Sequence, residues 1–299
     1  MIRSVPLMGT IVTIHVVGHA GDGGDGHDEA ITRAFGWFER VEACCTRFDA
    51  QSELMQLTTH VGVAVPVSAL LFEAARFALS VAEESGGAFD PTIGHRMETR
   101  GFNREHRTGQ VVRTDLRSDG ALNCRPVSYR DVQLDPDRQT IAFLRRLVLD
   151  LGAVAKGLAI DMAARELQPF ENFAIDAGGD LYLAGHSPDD APWSIGIRHP
   201  RADRELIDSL RVSNAAVCTS GDYERRSEDS HHILDPRTDA PADGVASVTV
   251  VAPTAMAADA LATAAFVLGP VEGIRLLERQ GVDGLIVSHA MERYSTRDL

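Results

Sequence analysis

The apolar and polar positions along the chain predict strands and helices that follow one another in no regular order. β-Branched residues fill residues 10–17, which predicts a strand, and apolar residues at helical spacing predict helices over 29–45 and 68–84. In the second half, the same patterns predict strands over 140–151, 173–177, 181–184, 193–198, 210–218, 246–251 and 285–288, and helices over 154–167, 254–268 and 271–280.

This order of elements indicates an α+β protein, because strands come in runs with helices inserted irregularly. The length of 299 residues suits one large domain or two intimately packed ones. Residues 95–130 show little periodicity and carry several arginines. They are expected to form either a solvated loop or a mobile, basic cover for an anionic ligand.

The net charge of −14 excludes some classes of partner. A field of this sign repels phosphate, so we expect no nucleic-acid partner and no binding to anionic membranes. A phosphorylated ligand would then need a local device, such as a metal ion, a helix N-terminus or a basic patch.

The chain as given carries no secretory signal or lipoprotein motif. It also has no uninterrupted apolar run long enough to span a membrane. We therefore expect a cytoplasmic protein without membrane insertion, unless an export signal was removed. The four cysteines have no zinc-ligand spacing and are expected to be reduced.

Asp150 and Lys156 flank a glycine turn at the start of a predicted helix. A cation is disfavoured near a helix N-terminus, so Lys156 is expected to meet an anion. That anion is either a bound ligand or Asp150 itself, in a purely structural pair.

Asp259 and Thr263 lie four residues apart among alanines, and therefore share one face of a predicted helix. Two hard oxygens converging on one surface suit Mg²⁺, which completes its shell with phosphate or water oxygens. Hydrogen bonding within a buried helix is the alternative interpretation.

His231 and His232 precede Ile233 in an extended segment. Adjacent side chains of such a segment point to opposite sides, so one histidine at most faces a given site. Near carboxylates and hydroxyls it could accept the proton of an attacking alcohol. A surface position without chemistry is the alternative for both, and the sequence does not decide which of the two faces the site.

These segments, with residues 8–10 and 89–94, resemble the ApbE family of FAD:protein FMN transferases from residue 7 to about residue 288. The motifs that carry the resemblance are LDLGAVAKG, IDAGGDLYLAG, TSGDYE, HHILDP and TAMAADALATA. The resemblance implies one α+β domain over residues 1–299, with mixed sheets, packed helices and a ligand cleft between two lobes. It also implies Mg²⁺-dependent transfer of the FMN half of FAD to a Thr or Ser hydroxyl of an acceptor protein, forming a phosphoester and releasing AMP.

The resemblance further assigns roles to single residues. It implies FAD contacts at Met8, Phe48, Ala88, Phe89, Asp90, Asp150, Lys156 and Ile233, metal ligation by the Ala153 carbonyl, Asp259 and Thr263, and a base at His232. The family pattern HIIDPxTG ends here without its glycine, at Asp239.

Two other functions use the same pattern. A Mg²⁺-dependent FAD pyrophosphatase would let water replace the acceptor hydroxyl, giving FMN and AMP. A flavin-binding protein without turnover would need neither base nor metal. For the transferase, a subunit of a membrane redox complex is one candidate acceptor.

Overall fold

The computed structural model of the chain describes residues 1–18, 24–105, 108–114, 125–223 and 232–297. The helices are α1 Gly24–Cys45, α2 Glu53–Leu57, α3 Ala69–Glu84, α4 Gly94–Thr99, α5 Gly152–Glu166 and α6 Ala255–Gln280. The strands are β1 Ile2–Leu7, β2 Thr10–Val16, β3 Ala64–Pro66, β4 Val132–Asp135, β5 Thr140–Phe143, β6 Phe173–Ala177, β7 Asp180–Ala184, β8 Trp193–Arg198, β9 Leu206–Val212, β10 Ala215–Gly221, β11 Leu234–Asp235, β12 Ala240–Pro241, β13 Val245–Ala252, β14 Asp283–Ser288 and β15 Arg293–Ser295.

A central sheet of eight antiparallel strands organises the molecule. Its order is β1-β2-β6-β7-β10-β13-β14-β15. A smaller sheet, β3-β5-β4, and the hairpins β8-β9 and β11-β12 complete the strands of the described residues. Helices and antiparallel sheets thus form one compact unit, which confirms the predicted α+β class.

The alternation of buried and more exposed residues along the strands shows which face of the sheet the helices cover. On β2, Val12, Ile14 and Val16 are buried while the residues between them are partly exposed. This inner face and helices α1, α3, α5 and α6 share one apolar core. The β8-β9 hairpin covers part of the opposite face, where Trp193 packs against Leu183.

Several predicted elements differ from the observed ones. The strand predicted over 210–218 is two strands, because Asn214 adopts a left-handed backbone (φ 55°) that turns the chain between β9 and β10. The strand predicted over 140–151 ends at Phe143, and β1 was not predicted. The two helices predicted over 254–268 and 271–280 form α6, which is broken at Gly269 (φ 80°) before Pro270.

Helix α6 is long and apolar enough, by length and composition, to cross a membrane, with a mean hydropathy of 1.5 over its most apolar window. Half of that window is buried inside the protein. The helix packs against β10, β13 and α5, so these properties are those of a core helix.

Strand registers bring the β1-β2 turn, the β6-β7 turn and the end of β10 to one end of the central sheet. Val12 pairs with Ala177, so the β1-β2 turn at Met8 and Gly9 lies beside the β6-β7 turn. Val217 pairs with Leu181, so the last residues of β10 extend to the same end. This end of the sheet carries Met8, and the N-terminal half of α5 carries Ala153 and Lys156 of the predicted site.

Candidate functional site

Lys156 of α5 forms an ion pair with Asp180, the first residue of β7. Asp180 is 2% exposed, and its other carboxylate oxygen accepts the Thr219 N–H at 3.2 Å. The expected anion for Lys156 was a bound ligand or Asp150. Asp180 was missed, although it directly follows the two glycines of the IDAGGDLYLAG motif.

Asp259 and Thr263 share the buried face of α6, as their spacing predicts. The Thr263 hydroxyl lies 3.2 Å from the Ser220 hydroxyl at the end of β10. Asp259 is 7% exposed. The third predicted metal ligand, Ala153, lies half-buried in the first turn of α5, three residues before Lys156.

Several charged side chains lie close enough to the buried Cys218 thiol to influence its pKa. Burial raises its pKa well above the usual range, and the carboxylates of Asp180, Asp259 and Asp161 raise it further, while Lys156 acts in the opposite direction. Three carboxylates and one ammonium therefore influence one point in the interior. Asp180 is paired with Lys156 and Asp161 binds the N-terminus of α6, so Asp259 is the carboxylate of this group that the sequence assigns to an added cation.

The described residues contain no group of three or more His, Cys, Asp and Glu side chains placed to hold a metal ion. The predicted set has another composition, since it comprises one carboxylate, one hydroxyl and one main-chain carbonyl. These three oxygen donors are of the type that Mg²⁺ prefers, with water or phosphate oxygens completing its shell.

Helices α5 and α6 approach closely where they carry these residues. A Cβ added to Gly157 would lie 2.5 Å from the Ala255 carbonyl, so only glycine allows this contact. One turn further along α5, the Asp161 carboxylate accepts the N–H groups of Ala255 (2.7 Å) and Met256 (3.0 Å). Asp161 thus caps the N-terminus of α6 and fixes the helix that carries Asp259.

Asp150 lies on the other side of the α5 N-terminus. Its Oδ2 accepts a hydrogen bond of 2.8 Å from Arg47 Nε, and its Oδ1 accepts the Gly152 N–H at 2.9 Å. The Arg47 guanidinium also lies over the ring of half-buried Phe48, 4.3 Å from its centroid. Arg47 was not among the predicted residues; its place directly before a predicted flavin contact was the available signal.

Asp90 is buried and uses both carboxylate oxygens. Oδ1 accepts from the N–H (2.9 Å) and hydroxyl (2.8 Å) of Thr92, and Oδ2 accepts the Tyr129 N–H at 3.0 Å. Burial is the main cause that raises the pKa of Asp90 above its usual value. Ala88 and Phe89 are buried beside it, and the Pro91 carbonyl accepts the Asp150 N–H at 2.7 Å. This turn therefore holds the backbone of Asp150.

Met8 forms the β1-β2 turn with a left-handed backbone (φ 50°) and packs against the core. Beside it, the Thr10 hydroxyl approaches Gly178 so closely that a Cβ there would lie 2.2 Å away. The turn of Met8 is thus held against the β6-β7 turn.

His232 lies partly buried, with its ring edge-on to Phe102 at 6.5 Å between centroids. The Phe102 carbonyl accepts a hydrogen bond from Arg47, which connects His232 to the region of Asp150. Ile233 is buried in the core, and its carbonyl accepts the Ala242 N–H at 3.0 Å. His231 lies outside the described residues, so the choice between the two histidines stays a prediction.

The arginines of α4 and its end contact the turn that follows His232. Arg96 donates to the Pro236 carbonyl at 2.7 Å, and Arg100 donates to the Asp239 carbonyl. Asp239 has a left-handed backbone (φ 56°), which is the conformation that glycine favours. Asp239, at the position where the family pattern has glycine, thus adopts the left-handed backbone typical of glycine.

The chain is similar to known proteins over most of its length. A sequence model of the ApbE family matches residues 8–286. The chain is 34% identical over 277 residues to a FAD:protein FMN transferase of Klebsiella pneumoniae, covering 88% of this chain and 83% of the relative.

Two solved structures are similar over nearly the whole chain. The flavin transferase ApbE from Vibrio cholerae has a TM-score of 0.84 and 27% identity, and covers 99% of this chain and 97% of its own. The ApbE protein from Thermotoga maritima has a TM-score of 0.83 and 32% identity, with coverage of 100% and 97%. The chain therefore belongs to the ApbE family and is a transferase.

Proposed function

We propose that this protein is a FAD:protein FMN transferase that depends on Mg²⁺. It moves the FMN half of FAD to a Thr or Ser hydroxyl of an acceptor protein, forms a phosphoester and releases AMP. The observation that carries the proposal is the convergence of Lys156, Asp180 and Asp259, from three motifs of the family, around the interior point marked by Cys218.

Lys156 binds the diphosphate of FAD in this proposal. Its ion pair with buried Asp180 holds the ammonium in place before a ligand arrives. The diphosphate is anionic and the chain carries a net charge of −14, so a local cation is needed to offset repulsion. The N-terminus of α5, whose N-cap residue Leu151 makes no side-chain hydrogen bond, adds favourable partial positive charge.

Asp259, Thr263 and the Ala153 carbonyl would hold Mg²⁺. When bound, the ion supplies positive charge that offsets the charge of the diphosphate during transfer. The burial of Asp259 supports this assignment, because a buried carboxylate needs a compensating charge.

His232 acts as the base. The hydroxyl oxygen of the acceptor forms a bond to the phosphorus on the FMN side, and the bond from that phosphorus to the bridging oxygen breaks. AMP leaves with the bond's electron pair, and a ring nitrogen of His232 takes the hydroxyl proton. Such base catalysis contributes on the order of 10²–10⁴-fold in rate.

The test is incubation of the pure protein with FAD, MgCl₂ and a candidate acceptor, followed by mass spectrometry of the protein and nucleotide products. We expect the acceptor to gain one FMN and AMP to appear in equal amount, EDTA to abolish both, and added Mg²⁺ to restore them. An acceptor with its target Thr replaced by Val is the control and should stay unmodified.

The other outcomes identify the alternative functions. Free FMN with AMP, at the same rate with and without acceptor, would make the protein a FAD pyrophosphatase. FAD that stays intact with every acceptor and metal would make it a flavin-binding protein. Full turnover in the presence of EDTA would overturn the metal assignment.

A further inference from the structure

We propose that Arg47 is a positioning residue for FAD binding. It holds the Asp150 carboxylate in one orientation. This inference rests on the proposed function, because it assumes that FAD binds beside Asp150. Arg47 itself is not required to touch the ligand.

The guanidinium of Arg47 joins three separate segments of the chain. Nε donates to Asp150 Oδ2 at 2.8 Å, and Nη2 donates to the Phe102 carbonyl. Its Cζ atom lies over the Phe48 ring, 4.3 Å from the ring centroid. The Arg47–Asp150 contact spans 103 positions of sequence, so it ties the end of α1 to the start of α5.

Asp150 has few ways to reorient while these contacts persist. Its second oxygen, Oδ1, accepts the Gly152 N–H at 2.9 Å, and its own N–H is bound by the Pro91 carbonyl at 2.7 Å. The carboxylate is therefore held from both sides, and Arg47 supplies the charged partner. The rigid guanidinium fixes the direction between its bonds to Asp150 and to the Phe102 carbonyl, which a lysine ammonium on a flexible stem does not.

Stability alone is a poor explanation for this arginine. Its side chain is 5% exposed, and among the described residues Nη1 has no hydrogen-bond partner although the atom is buried. A buried ion pair is weak evidence for stability, since apolar residues of similar volume often do as well. An incompletely satisfied buried guanidinium is better explained by what it orients.

Arg47 also connects the predicted FAD contacts with the predicted base. Phe102, whose carbonyl Arg47 binds, meets His232 edge-on at 6.5 Å. Asp150 and Phe48 are predicted FAD contacts, and His232 is the predicted base. Arg47 lies between them and holds the segments that carry all three.

The test measures FAD affinity by quenching of flavin fluorescence, which requires no acceptor and no turnover. We expect Arg47→Met to weaken FAD binding by about tenfold to a hundredfold, the effect usual for loss of a group that orients a binding residue. Arg47→Lys keeps the positive charge but lacks the guanidinium. Its FAD affinity is expected to lie between those of Arg47→Met and the unchanged protein. If Arg47→Met does not fold, the comparison rests on Arg47→Lys, and an unchanged affinity there overturns the inference.

A matched control is Arg33→Met. Arg33 lies on α1 and bonds Glu166 of α5 at 3.1 Å, so it makes the same kind of connection at the opposite end of α5. Its replacement should leave FAD affinity within about twofold, as expected for an exposed ion pair. An equal loss of affinity in both variants would mean that any bridge between these segments matters, and would overturn the specific role of Arg47.

A double-mutant cycle with Asp150→Asn separates positioning from general destabilisation. If Arg47 acts through Asp150, the double variant should bind FAD no more weakly, within about twofold, than the weaker single variant. Losses that multiply in full would overturn the inference. A protein that binds no FAD before any substitution would overturn the proposed function itself, a result distinct from either of these.

Discussion

The Asp259 side chain is buried, and a buried carboxylate charge is stable only when an opposite charge or hydrogen bonds compensate it. Its neighbours at this scale are the Cys218 thiol, whose pKa it raises, and Thr263, which bonds Ser220. His232 differs in surroundings, since it lies beside Phe102 on a segment after the central motifs. Replacing Asp259 should therefore change the Mg²⁺ requirement of the reaction, whereas replacing His232 should change its maximal rate.

We expect Asp259→Asn to raise the Mg²⁺ concentration for half-maximal turnover by about tenfold to a hundredfold, because it removes the only anionic ligand assigned to the ion. High Mg²⁺ should restore part of the rate. His232→Ala should lower the maximal rate by about 10²–10⁴-fold with the Mg²⁺ requirement unchanged. Metal titrations of the steady-state rate distinguish the two, and a Mg²⁺ requirement that stays constant in Asp259→Asn would remove Asp259 from the metal site.

At the scale of elements, the contact between α5 and α6 determines where the charged residues meet. Both helices were predicted from periodicity, with bounds that differ from the observed ones by at most two residues outside the break at Gly269. Their mutual distance was not predictable, because it depends on the missing side chain of Gly157 against the backbone of Ala255. A glycine within a helix usually lowers helix stability, so its presence here reflects packing.

Gly157→Ala should therefore destabilise the protein, by about 1–3 kcal/mol, because the added methyl forces the two helices apart. Gly36→Ala, within α1, is the matched control: its added Cβ meets only the flexible end of Arg40, 3.7 Å away. That change should stabilise the protein by roughly 0.5–1 kcal/mol through helix propensity. Urea denaturation of both variants measures the difference, and a neutral Gly157→Ala would contradict the close approach.

At the scale of the whole molecule, an acidic chain buries part of its negative charge at its functional end. Asp161, which caps α6, illustrates the consequence: burial raises its pKa from 3.8 to about 6, although two backbone N–H groups oppose the shift. A carboxyl with a raised pKa binds its proton more tightly in the folded state than in the unfolded one. Its contribution to the free energy of unfolding thus falls as pH rises from about 4 to about 6.

Asp161→Asn should remove this dependence on pH. Relative to the variant, the unchanged protein is expected to lose about 1 kcal/mol of unfolding free energy between about pH 5 and pH 7.5. Loss of one cap hydrogen bond in the variant adds an offset that does not vary with pH. Parallel urea titrations at the two pH values test this, and a constant difference between the proteins would show that Asp161 does not titrate in this range.

Local sequence patterns predict the α+β class and the principal helices, and they carry the family motifs, since each depends on residues close together in the chain. The shared face of Asp259 and Thr263 is an example, because a spacing of four is enough to predict it. Most central-sheet strands were also predictable from local pattern. The break between β9 and β10 was not, because it depends on the left-handed backbone of Asn214.

Which polar and charged side chains pair with each other is visible only in the three-dimensional structure. Lys156 pairs with Asp180, Arg47 with Asp150, and Thr263 with Ser220, and these partners lie on different elements far apart in sequence. No local periodicity encodes such pairs, because they follow from strand register and from the closest distance that two helices can reach. At Gly157 that distance is set by the absence of a single methyl group.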